Sequence, residues 1–171
     1  MPMIGHLPRG SRLPVQYNRV VRWYRRLRAI STGEFHNQSI DMDCDEILVF
    51  FIFCHQLRDW IIKDTDIPRK DVNSYISSNQ CLAICADIAN GIKHLGIGEN
   101  YSPRSGEDIR MHPGVVIRGD DLAQVELQLY VTFEGGRQSS ALDIATDCMQ
   151  KWTDFLRSHD LFSAERMMDY M

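Results

Sequence analysis

No two cysteines of this chain stand at Cys-x-x-Cys spacing, and their number is odd: Cys44, Cys54, Cys81, Cys85 and Cys148. That pattern argues against a disulfide framework and fits reduced thiols in a cytoplasmic protein. It also argues against a structural zinc site, whose ligands usually come in tighter pairs. Cys81 and Cys85, one helical turn apart, could face a metal with His55, but the five thiols read as small buried apolar residues. No metal and no cofactor is expected. Long apolar runs are missing too: the longest, 47–54, has eight residues, where a bilayer needs ~20. Residues 1–14 have no apolar stretch of the kind a signal peptide carries. A cytoplasmic protein without membrane contact is expected. There is no Walker loop, Gly96-Ile97-Gly98 has neither a third glycine nor a preceding strand, and no serine sits in a strand–turn–helix elbow.

Acids are absent from residues 1–28, which carry seven arginines, Arg9, Arg12, Arg19, Arg22, Arg25, Arg26 and Arg28. The rest of the chain has 12 basic and 23 acidic residues, a net −11, so the overall −4 hides a strong split. A basic arm can bind nucleic acid. It can equally dock on the acidic remainder of its own or a partner chain. The second reading is preferred, because aromatic and basic residues do not interleave as a single-strand platform needs, and Trp23 and Tyr24 belong to a core.

The 171 residues, 44% hydrophobic and 25% charged, suffice for one domain with a sizeable core. Residues 1–14, with three prolines and two glycines, form an irregular basic arm. A helical core over 15–97 follows. Its first helix runs from Pro14 to Ser31, with Val20, Tyr24, Leu27 and Ile30 as its apolar stripe. A second, from Asp43 to Asp64, is apolar all round between Ile47 and Cys54 and so belongs in mid-bundle. A third starts at Asp71 or Ser78 and runs to Leu95. Residues 98–114 read as a long polar loop. The period then changes to two, and Val125, Leu127, Leu129, Val131 and Phe133 alternate with polar residues as a half-buried strand. Val115-Val116-Ile117 is its antiparallel partner, and a short third strand follows Gly135-Gly136. The β-hairpin spans 114–138 and a C-terminal helix 140–158, capped by Ser139 or Ser140. A short last helix over Ser163 to Tyr170 is possible. The expected architecture is mainly α: a bundle of four or five helices with a small antiparallel hairpin or three-stranded meander before the C-terminal helix.

Two segments carry the chemistry. In His55-Gln56-Leu57-Arg58-Asp59-Trp60, helical spacing puts His55, Arg58 and Asp59 on one side. In Asp87-Ile88-Ala89-Asn90-Gly91-Ile92-Lys93-His94, Asp87, Asn90 and His94 form one stripe, continued by Ala83 and Ala86. Gly91 costs about 1 kcal/mol in mid-helix, which points to close approach of a neighbour or a ligand. His94 titrates near neutrality, Lys93 and Arg58 could hold a phosphate, and Asn90 and Asp59 could orient it. The same groups also fit a purely structural role, with Arg58 and Asp59 pairing within the bundle or with Asp87 and Lys93. In a simple antiparallel hairpin the two segments would lie far apart, so one site would need two chains or a long stretch before Ser78.

The pattern Leu57-Arg58-Asp59-Trp60 followed by Asp87-Ile88-Ala89-Asn90-Gly91-Ile92-Lys93-His94 resembles a group of short bacterial proteins. The second segment is also similar to the signature of HEPN domains, helical bundles many of which are metal-independent ribonucleases. Asn90 and His94 match that signature, whereas Ala89 stands where the arginine belongs, so Arg58 or Lys93 would supply the cation. The resemblance implies a homodimer acting on RNA or a nucleotide, with His94 as general acid or base. The competing expectation is a non-catalytic module docking a protein partner through the basic first helix or the β-hairpin.

Overall fold

A computed structural model describes residues 8–36, 39–94, 102–118 and 124–171, without the side chains of 93–94, 117–118 and 124–125. Within these residues the chain forms five helices and one antiparallel sheet: α1 (Leu13–Ser31), α2 (Ile40–Asp64), α3 (Arg69–Ser78), α4 (Gln80–His94), β1 (Ile109–Arg118), β2 (Gln124–Phe133), β3 (Gln138–Ser140) and α5 (Ala141–Ser158). This is the expected helical bundle with a three-stranded meander, in order β1-β2-β3, before the C-terminal helix.

Helix α1 buries the predicted stripe of Val20, Tyr24, Leu27 and Ile30. Its own N-cap, Arg12, has no capping side chain. The carboxylate of Asp64, in the last turn of α2, does that work instead, accepting the N–H groups of Gly10, Arg12 and Leu13 at 2.9, 2.9 and 2.8 Å. Orphan amides and the positive end of the helix dipole are thereby satisfied by one buried anion.

Helix α2 begins at Ile40, earlier than expected, because Ser39 caps it through a bond from the Met42 N–H. Ile47, Phe50, Phe51 and Cys54 are buried, while Leu48, Val49, Ile52 and Phe53 are half-buried. The more enclosed helix is α4, buried on every side from Leu82 to Ala89. The expected third helix is two, broken at Asn79, whose φ/ψ of −118°/106° is extended. Helices α2 and α4 run antiparallel: Cys85 of α4 meets Phe51 of α2 in mid-length, and the end of α4 lies beside the start of α2.

Strand β2 turns Leu127, Leu129, Val131 and Phe133 into the core beneath α1 and α5. Strand β1 starts at Ile109, inside the stretch expected to be loop, and pairs from Ile109↔Phe133 through Val115↔Leu127. Arg110, His112, Pro113 and Gly114 have no strand signature, and the long alternation of β2 imposes their register. Pro113 is tolerated because β1 is an edge strand. Gly114 is required there: a Cβ would stand 2.7 Å from the Tyr130 ring.

Ser140 caps α5, accepting the Asp143 N–H at 3.0 Å. The expected last helix is instead a turn and an extended tail. Asn18 of α1 holds the tail on both sides, donating to Arg166 O at 2.9 Å and accepting from Met168 N–H at 2.7 Å. Those bonds replace the ones a helix would make within itself. No described helix is long and apolar enough to cross a membrane.

Candidate functional site

Asp87 of the second predicted segment faces His55 of the first, but Arg58 and Asn90 do not meet within the chain. With Cys54 level with Cys85, Arg58 lies a turn beyond that level in one direction and Asn90 more than a turn in the other. At 1.5 Å per residue the offset is about 14 Å. Asn90 is half-buried near the end of α4, and the side chains of Lys93 and His94 lie outside the described residues. Gly91 serves no close approach among the described residues, none of which lies within 4 Å of where its Cβ would be.

What the fold does assemble is a polar cluster on the second half of α2. Arg58 Nε donates to Asn73 Oδ1 of α3 at 2.7 Å, and its Nη1 pairs with Asp59. One turn earlier, His55 is half-buried. Opposite, the buried Asp87 of α4 accepts the backbone N–H groups of Arg104 and Ser105 at 2.7 and 2.8 Å. Those two bonds pin a loop whose Arg104 side chain acts on the His55 ring. Burial lowers the His55 pKa, the positive charges of Arg104 and Arg58 lower it further, and Asp59 and Asp87 oppose them in part. The imidazole is therefore neutral at pH 7 and can accept a proton. The exposed Arg104 guanidinium makes no hydrogen bond or ion pair with the described residues. Sequence reasoning found His55, Arg58 and Asp59. It missed Asn73 and Arg104, because neither shares a helical stripe with them; the length of the polar loop is the one signal that pointed to Arg104.

A second feature is an apolar groove of about 660 Å³ between the start of α2, the end of α4 and β1. Cys44, Leu48, Ile88 and Ile92 form its floor, and Ile109, Met111 and Pro113 overhang it.

Residues able to hold a metal gather elsewhere. Cys54 of α2, Cys85 of α4 and Cys148 of α5 are fully buried, with their sulfurs all within 4.8 Å of one another. Cys148 Sγ donates to Cys81 O at 3.2 Å, and the Cys81 and Cys148 thiols also hydrogen-bond. Burial by itself would raise the Cys54 thiol, but the donor groups of Cys148, Cys85 and Trp152 beside it outweigh that and lower Cys54 to about 5. Burial pushes Cys85 and Cys148 well up.

Four of the seven arginines of residues 1–28 have side-chain partners within the chain. Arg9 binds Asp66 and Thr65 O, Arg19 binds Gln16 and lies over Phe53, Arg25 donates to Asp169 O, and Arg26 pairs with Glu46 above Phe35.

No protein-family model matches the chain, and no curated protein or solved structure is similar enough to it to count as a match.

Proposed function

We propose that the chain binds RNA or a nucleotide at the His55 cluster and acts on it by metal-independent acid–base chemistry of the HEPN-like kind. One observation carries this reading: a half-buried neutral imidazole flanked by two guanidinium groups, one of which, Arg104, is free of partners among the described residues. Two cations beside a group that cannot itself carry a counter-charge suit a phosphate oxygen. The neutral ring suits removal of a proton from a ribose hydroxyl. Arg58 and Arg104 hold the phosphate, His55 moves the proton, and Asn73 and Asp59 fix the Arg58 fork. Asn90, Lys93 and His94, toward the far end of α4, join such a site only from a second copy, which is the homodimer the HEPN resemblance implies.

The test uses labelled single-stranded RNA, with binding read by anisotropy, cleavage by gel and assembly by light scattering. Arg104→Ala is expected to weaken binding, and His55→Ala to slow cleavage about a hundredfold with binding retained. If both variants match the wild type while His94→Ala alone abolishes cleavage, the site lies at the end of α4 instead.

A second reading is a non-catalytic protein-interaction module, favoured by the apolar groove and by the edge strand β1, where Val115 and Val116 are 44% and 36% exposed. The arginines of α1 already engaged within the chain make the hairpin the better docking element. A wild type that neither binds nor cleaves RNA or nucleotides leaves this reading standing.

A further inference from the structure

Cys54, Cys85 and Cys148 come from three helices and lie 94 residues apart at the extremes, so no spacing rule reveals them. Their sulfurs, within 4.8 Å of one another, are close to the arrangement a metal imposes. Thiolates about 2.3 Å from a tetrahedral ion stand about 3.8 Å from each other, which asks for movements of an ångström or less. Cys81 lies one turn before Cys85 and its thiol already touches Cys148.

A buried residue beside the triad points to a charged ligand. Trp152 is 1% exposed, and its indole Nε1–H has no hydrogen-bond partner. It faces the Cys54 sulfur. If Cys54 were an ordinary core thiol, the orphaned donor would be a net cost to the fold. A thiolate there accepts that hydrogen bond well. A buried thiolate in turn needs a positive charge, and among the described residues no Lys or Arg is a leading influence on the three thiols. The missing charge is one a metal ion supplies, and the indole then serves as the outer partner that orients a ligating sulfur.

We propose that Cys54, Cys85 and Cys148 bind one thiophilic d10 metal ion in the core where α2, α4 and α5 meet. Zinc(II) takes Cys81 as its fourth thiolate, whereas copper(I) is satisfied by the three. Each ligating sulfur that still carries a proton gives it up to solvent as its sulfur–metal bond forms, so uptake releases protons, at most three for copper(I) and four for zinc(II), with no change of oxidation state. Closed on all sides, the site is structural, and it ties together three helices that otherwise meet only through apolar side chains. This departs from the sequence expectation that no metal is bound.

The full chain, purified without a chelating tag, tests the proposal. Elemental analysis after dialysis is expected to return close to one zinc or copper ion per chain. Cobalt(II) taken up after metal removal is expected to produce sulfur-to-cobalt charge-transfer absorption. Cys148→Ser loses both signals and Cys44→Ser, outside the triad, keeps them. Cys81→Ala separates the two ions, losing zinc but keeping copper(I). Should Cys148→Ser fail to fold, the wild type decides. The proposal is overturned by a folded wild type with no stoichiometric metal and no cobalt charge transfer, or by a disulfide between any two of these cysteines.

Discussion

Asp87 Oδ1 accepts the backbone N–H of Arg104 at 2.7 Å, so a buried acid on α4 fixes where a loop cation stands beside α2. The second oxygen takes the next amide, Ser105 N–H, at 2.8 Å. Asp87→Asn keeps the shape but replaces one acceptor with a donor facing a donor. It is expected to cost about 1–3 kcal/mol in urea unfolding, and to speed hydrogen exchange at the Arg104 and Ser105 amides ahead of the rest of the molecule. Unchanged exchange at those two amides would mean that the loop is held by something else.

His55 gives stability a predictable dependence on pH. Its pKa in the folded chain is lowered from 6.5, first by burial and then by Arg104 and Arg58. Above pH 6.5 both folded and unfolded chains carry the neutral ring, and the group contributes no slope. As the pH falls below 6.5, the unfolded chain takes up the proton first, so stability declines until the folded pKa is passed. His55→Gln is expected to flatten that part of the stability curve. Bound phosphate or nucleotide should raise the pKa of the ring, read from its proton chemical shifts, since an anion offsets the two guanidinium charges. A ring that titrates at its ordinary value with and without ligand would remove the electrostatic basis of the site.

Gly91 lies in the last turn of α4 with no described atom within 4 Å of where its Cβ would be, and its φ is not positive. Gly91→Ala is therefore expected to stabilise the chain by about 0.5–1 kcal/mol, measured by thermal unfolding. A loss of stability would restore the idea that something must come close to the α4 backbone there.

Much of the architecture was legible because it rests on periodicity. The stripe of α1 and the alternation of β2 declare themselves in side chains that repeat every three to four residues or every two. The misses share a cause. Pro113 and Gly114 sit in a strand because Leu129 and Gln128 pair with them from outside their own sequence neighbourhood. The tail after Ser163 is ordered by Asn18, about 150 residues away. The candidate site follows the same division. His55, Arg58 and Asp59 were found by spacing on one helix. Asn73, Arg104 and the three converging thiols are brought in by packing, which leaves no local trace. Asn90 was placed with Arg58 by residue type alone, and the antiparallel course of α2 and α4 separates them.

The three amides held by Asp64 have a kinetic corollary. Gly10 and Leu13 cannot be protected until the far end of α2, more than fifty residues downstream, has wound its final turn. The two helix ends are then one cooperative unit, opening and closing together in native-state exchange. Fraying at the end of α2 would free the beginning of α1, although the two ends are far apart along the chain.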